Sequence, residues 1–147
     1  MLFTQPCEHA IRALIYLSNR EEGKPVQAVT IADATNVPRQ FLSKILLQLK
    51  HHGLVKTVKG PGGGYFIAKD TSEIMIRDIT AIFDRSQQDP SSCILGLEAC
   101  MDDHPCPLHH QWKNFRGDVE VQLKSLTIRE LADKVLEKTA HLKARQE

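Results

Sequence analysis

Between Cys93 and His109 the chain reads CILGLEACMDDHPCPLH, which places three thiols and a terminal imidazole within seventeen residues. Thiolates are soft ligands and imidazole is borderline, a set suited to zinc or to iron in a cluster. Six residues separate Cys93 from Cys100, five separate Cys100 from Cys106, and two separate Cys106 from His109. Short zinc knuckles open with cysteines about two to four residues apart, so this spacing is looser. A loop of this length can wrap three thiolates around a bulkier iron–sulfur cluster, with Gly96, Pro105 and Pro107 shaping it. Spacing alone leaves a structural zinc open. Thiols that merely fill a core belong on apolar periodic positions, whereas these share their segment with Glu98, Asp102, Asp103 and His104.

The fourth ligand has more than one candidate. His109 stands at the start of an expected helix, where the dipole favours the negative charge of a thiolate-held group. His110 is its neighbour and competitor, and Glu8, in the first expected helix, could reach across a dimer. The remaining thiol, Cys7, reads as a buried free cysteine. His51 and His52 read as the last turn of a helix.

Those groups need a scaffold. The 147 residues suffice for one domain of ordinary size, and an apolar fraction of 41% can supply its core. No apolar run reaches membrane-span length. The start, MLFTQPCEHAIRALIYL, lacks a basic leader and is interrupted by Glu8 and Arg12, so no export signal is read. The expectation is a cytoplasmic protein, in which clustered cysteines serve metal or redox chemistry rather than disulfides. The formal charge of +1 hides an asymmetry: Arg39, Lys44, Lys50, Lys56, Lys59 and Lys69 fall between Pro38 and Lys69 with no Asp or Glu among them. A local charge of +6 is a candidate nucleic-acid face.

The periodicity predicts a mainly α fold with a small β-hairpin. A first helix is expected from Pro6 to about Asn19, capped by Thr4, with Ala10, Leu14 and Leu17 inward. A short helix capped by Thr30 should run to Thr35, and Pro38 should interrupt it. A second helix from Pro38 to His52 would bury Phe41, Leu42, Ile45, Leu46 and Leu49, with Gly53 at its C′ position. Two helices on a tight turn, the second basic, describe a helix-turn-helix. Arg39, Gln40, Ser43 and Lys44 avoid the apolar face of the second helix and are the candidates for contact with DNA in the major groove. LVKTV and YFIA then read as strands around KGPGGG, a wing in which Lys56, Lys59, Gly62, Gly63 and Gly64 could approach the duplex.

Beyond the wing, IRDITAIFD is expected as an amphipathic helix with Ile76, Ile79, Ile82 and Phe83 inward, and DRSQQDPSS as a polar break. A long helix from about Pro107 to Leu123 would carry Leu108, Trp112, Phe115, Val119 and Leu123 on one stripe of near-heptad spacing, suited to a second copy of the chain. Thr127 and Glu130 form a capping box for a last helix with Leu131, Val135 and Leu136 apolar, and HLKARQE should fray. This divides the chain into a winged helix-turn-helix domain over 1–83, a cysteine loop over 84–106, and a dimerisation helix with a C-terminal helix over 107–147. No nucleophilic triad or nucleotide-binding motif appears, so an enzyme is not expected.

The stretch LSKILLQLKHHGLVKTVKGPGGGYFIAK, the three cysteines after it and PLHHQW together resemble the IscR/NsrR family of winged-helix transcription regulators, over about Leu2 to Val135. The resemblance implies a homodimer that binds palindromic promoter DNA. It also implies an iron–sulfur cluster, [2Fe-2S] or [4Fe-4S], sensing cluster supply, nitric oxide or redox state. Cys93, Cys100 and Cys106 match the family's cluster cysteines, and His109 matches the histidine of its cluster-supply sensor. Glu8 stands where its nitric-oxide sensor has a ligating aspartate from the partner subunit. The gap after Cys93 is longer than in those two sensors, so the cluster type stays open. The competing expectations are a zinc-stabilised DNA-binding repressor and an iron–sulfur carrier or redox protein.

Overall fold

The computed structural model describes residues 3–84, 89 and 91–145. In chain order it contains α1 (Gln5–Ser18), α2 (Ala28–Thr35), α3 (Arg39–His51), β1 (Val55–Val58), β2 (Gly64–Ile67), a 3-10 turn (Thr71–Glu73), α4 (Ile76–Phe83), α5 (His109–Ser125) and α6 (Ile128–Ala144). The expected mainly helical architecture with one hairpin is the observed one. The polar break DRSQQDPSS lies largely outside the described residues. Among the described residues no helix is long and apolar enough to cross a membrane.

One core unites α1–α4 with the start of α6. Ala10, Leu14 and Leu17 of α1 meet Ile31 of α2, and Leu42, Ile45, Leu46 and Leu49 of α3 close over them; all are buried. Ile74, Ile76, Ile79 and Ile128 extend the same cluster. Ile82 and Phe83 are half-buried against it. The C-terminal pair is stitched on by backbone: Ile76 N–H donates to Leu126 O and Ile128 N–H to Ile74 O, both at 2.9 Å. Thr127 accepts from Glu130 N–H at 3.1 Å while the Glu130 carboxylate takes Thr127 N–H at 2.9 Å, which is the capping box that the sequence announces. α6 stays helical through Ala144, into the HLKARQE stretch expected to fray.

The turn of the helix-turn-helix closes on Asn36. Its φ of 55° is left-handed, a conformation that Asn tolerates better than most residues. Val37 N–H donates to Ala32 O at 3.1 Å. Pro38, which lacks a donor, then precedes α3. Gly53 follows α3 at φ 74°, as expected of C′.

Several local expectations are corrected. α2 starts at Ala28 with Gln27 before it, so Thr30 lies inside the helix and caps nothing. Thr4 precedes α1, but its hydroxyl makes no capping bond; it donates to Asp84 instead. Phe41 is half-exposed on α3 rather than inward, because it falls one position outside the stripe of Leu42, Ile45, Leu46 and Leu49. α5 begins at His109, so Leu108 is its flanking residue and is exposed.

Candidate functional site: a basic helix and wing, and a cysteine loop

α3 presents its polar side outward. Arg39, Gln40, Ser43 and Lys44 are all exposed. Arg39 pairs with Asp33 at 3.3 Å, an exposed contact that gives up little when a phosphate competes for the guanidinium. Ser43 Oγ donates back to Arg39 O at 3.0 Å. Lys56 and Lys59 are exposed on the hairpin beside the helix. They add exposed positive charge on the wing to that of Arg39 and Lys44 on α3.

The wing's glycines divide by role. Gly62, at φ 74°, has open space where a Cβ would stand and is exposed. Gly63 is buried, and a Cβ there would lie 2.2 Å from Val58 O. At Gly64, with φ 151°, a Cβ would lie 2.2 Å from Val26 O. The reason is a third segment: Val26 N–H donates to Tyr65 O at 2.9 Å and Tyr65 N–H to Val26 O at 2.8 Å, so Val26 pairs with the edge of β2. Gly63 and Gly64 let the protein's own backbone pack, while Gly62 faces solvent. The sequence marks all three as places of close approach, without saying that two of the approaches are internal.

The cysteine loop lies over one face of α5. His109, Lys113 and Arg116 recur at helical spacing and therefore share that face. Arg116 donates to Asp89 O at 3.2 Å and also to Ser92 O, fixing the loop's start, while its guanidinium lies 5.1 Å from the Trp112 ring centre. Cys100 N–H donates to Ser91 O at 2.8 Å. Lys113 Nζ reaches both carboxylate oxygens of Asp102, at 2.8 and 2.9 Å. His109 is only 3% exposed; its Nε2 lies 2.8 Å from Asp102 Oδ1 and its Nδ1 lies 3.1 Å from Cys100 Sγ. Lys113, then His109, hold the Asp102 carboxyl down at about 2.

Cys93 is held below the usual thiol range chiefly by the backbone N–H groups of Leu95 and Leu97, with smaller help from Cys106 and the Arg116 charge. Cys93, Cys100 and Cys106 are each half-buried and unbridged. Of the four expected donors, Cys100 and His109 are in direct contact. Among the described residues no three His, Cys, Asp or Glu side chains converge on one point. Three half-buried thiols and one buried imidazole within one short segment are a donor set whose chemistry fits zinc or the iron of a cluster.

Glu8 sits elsewhere, half-buried in the first turn of α1. No hydrogen bond or ion pair joins it to the cysteine loop among the described residues. Cys7, beside it, is fully buried, and burial pushes its thiol up, aided by Asp84 and then by the Glu8 charge. Asp84 is itself buried and takes the Thr4 N–H at 3.2 and 3.3 Å as well as the Thr4 hydroxyl. It thus ties the end of α4, where the described chain stops before the cysteine loop, to the start of α1. Asp102, Lys113, Arg116 and Asp84 were missed by sequence reasoning. For Lys113 and Arg116 a signal existed, since both fall on the helical face of His109.

Comparison with known proteins agrees with this architecture. The family model described as Rrf2, iron-dependent transcriptional regulator, matches residues 3–134. A relative from Aquifex aeolicus, grouped with the HTH-type transcriptional regulators, is 34% identical over 134 residues, covering 89% of this chain and 91% of the relative. The HTH-type transcriptional regulator IscR of Photorhabdus laumondii is 29% identical over 133 residues, covering 90% and 80%. Among solved structures, CymR, the global cysteine regulator of B. subtilis, superposes with a TM-score of 0.72 at 24% identity, covering 89% of this chain and 95% of that one. T. potens IscR does so with a TM-score of 0.68 at 21% identity, covering 90% and 86%. At those identities the two structures speak for the fold.

Proposed function

The chain belongs to the Rrf2 family of transcriptional regulators, and from that premise we propose that its grip on DNA is set by an iron–sulfur cluster held by the Cys93–His109 loop. DNA binding and regulation, rather than catalysis, come with the family. Control by a cluster, a homodimer and a palindromic promoter site are what we propose beyond it. The observation that carries it is the contact of Cys100 with a buried His109, in a segment that also holds two further half-buried, unbridged thiols, Cys93 and Cys106. The matched relatives named IscR lend the cluster their support.

Cys93, Cys100, Cys106 and His109 would hold the group, with Glu8 from a second copy as the alternative fourth ligand. When bound, such a cluster supplies a redox-active centre that reacts with oxygen and nitric oxide. The chain's own residues do the rest. Arg116 and Lys113 fasten the loop to α5. α5 packs on α4, α4 packs on α1, and Asp84 clamps the two ends together. α1 in turn packs on α2 and α3. A change in how the loop grips α5 shifts the balance between arrangements of the two α3 helices in a dimer, which must sit about 34 Å apart to enter successive major grooves.

Anaerobic reconstitution with iron and sulfide tests this. The wild type should take up both in matched amounts and absorb visible light, which a d10 zinc site does not. Its affinity for promoter DNA should differ between cluster-loaded and stripped protein. Zinc uptake without sulfide, or equal DNA affinity in the two forms, overturns the reading. Transfer of the cluster to an acceptor protein without specific DNA binding would favour a carrier instead.

A further inference from the structure

We propose that Asp102 is the positioning residue for His109, holding the imidazole as the Nε2–H tautomer so that Nδ1 is free to ligate iron. The inference rests on the cluster reading above and deepens it. An ionised carboxylate only accepts hydrogen bonds. With Asp102 Oδ1 2.8 Å from Nε2, that nitrogen must carry the proton. A neutral ring then has its lone pair on Nδ1, which lies 3.1 Å from Cys100 Sγ. The basic nitrogen thus points at one of the thiols expected to ligate, and not at solvent.

Asp102 is itself held. Lys113 Nζ contacts both of its oxygens, at 2.8 and 2.9 Å, and stands one helical turn beyond His109 on α5. The three residues form a chain from ammonium to carboxylate to imidazole, anchored on one rigid helix face. Metal-bound histidines commonly donate their second N–H to a carboxylate, which fixes ring orientation and raises ligand basicity. The arrangement distinguishes His109, 3% exposed, from its exposed neighbour His110. It also distinguishes Asp102 from the adjacent Asp103, for which no such contact occurs among the described residues.

The experiment has two arms. In metal-free protein labelled with 15N at histidine, NMR should report His109 as a single Nε2–H tautomer. Asp102→Ala should lose that preference, and Asp102→Asn, whose amide oxygen still accepts, should retain most of it. Asp102 is exposed, with 71% of its side chain accessible, so these variants should fold. In the second arm, reconstituted Asp102→Ala should release iron to a chelator about 10–100-fold faster than wild type, with Asp102→Asn between them. An Nδ1–H or mixed tautomer in wild type, or equal tautomer and release rates in Asp102→Ala, overturns the proposal. So does a His109→Ala protein that keeps its cluster as firmly as wild type, because the fourth ligand is then another residue while the cluster reading survives. A wild type that takes up no iron or sulfide overturns the cluster reading and the role of Asp102 toward iron together, and the NMR arm still decides the Asp102–His109 bond.

Discussion

Substituting Gly64 by alanine should unfold the wing from its inner side. The new Cβ would stand 2.2 Å from Val26 O and 2.4 Å from Val26 C, against backbone that cannot rotate away like a side chain. Relief requires the Val26–Tyr65 pair to open, which forfeits two backbone hydrogen bonds of 2.9 and 2.8 Å. At about 0.5–1.5 kcal/mol each, that is roughly 1–3 kcal/mol. The φ of 151° adds strain for an L-residue, of order 1–3 kcal/mol, part of which the opening relieves. The sum expected is about 2–4 kcal/mol, a large share of the 5–15 kcal/mol that holds a typical domain. Gly62→Ala is the control. It has open space and only its φ of 74° to answer for, so about 1–2 kcal/mol should be lost. Urea unfolding at one fixed protein concentration reads both. With a slope of about 2 kcal/mol per molar, Gly64→Ala should lower the midpoint by ~1–2 M and Gly62→Ala by less than ~1 M. Equal midpoints for the two variants would refute the reasoning, since only Gly64 has a backbone neighbour to strike.

Three further outcomes are expected. Arg39→Ala and Lys44→Ala should each weaken promoter binding by about 1–3 kcal/mol where a base is read, or flatten the salt dependence where a phosphate is held, and leave the unfolding midpoint nearly unmoved; titrations at several salt concentrations check this, and unchanged affinity in both removes α3 as the recognition helix. Sedimentation should find twice the 16.6 kDa chain mass, because Phe115 and Val121 on α5 and Leu136 and Leu142 on α6 are each at least half exposed; a monomer at micromolar concentration counts against the dimer. Cys7 should resist alkylation in the folded protein while the loop cysteines of the stripped protein react, and since its thiol is raised by burial, the stability it lends is whole below the ordinary thiol value and is lost as pH rises above it; mass spectrometry after a pH series of alkylation and unfolding measures both, and early labelling of Cys7 sinks the argument.

What could be read from the sequence was local. The capping box at Thr127 and Glu130, the proline before α3 and the glycine after it each act within a few residues, so their types and spacing carry the signal. The apolar stripes of α1 and α3 were legible for the same reason. The readings that needed correction depended on a distant partner. Thr4 looked like a cap, but a carboxylate eighty positions away, on Asp84, takes its hydroxyl and its N–H. Gly64 looked like an opening toward DNA, but Val26 occupies the space beside it.

α5 shows the same division on a single helix. Reading it for apolar periodicity picked out Trp112, Phe115 and Val119, of which Phe115 is half-exposed and stacked 5.8 Å from the Trp112 ring. Its other use lies in polar residues. Lys113 and Arg116 look like ordinary solvated cations until the loop is folded over them, because each finds its partner, Asp102 or the carbonyls of Asp89 and Ser92, across a connection whose path no periodicity describes. One side of the helix holds the cysteine loop through charge and hydrogen bonds, while Phe115 and Val121 stand exposed. On the reading proposed above, a helix that holds the loop on one face and meets a second copy on another would carry a change at Cys93–His109 to the spacing of two recognition helices, and the residues that fasten the loop to it, Lys113 and Arg116, are the ones a one-dimensional pattern treats as surface.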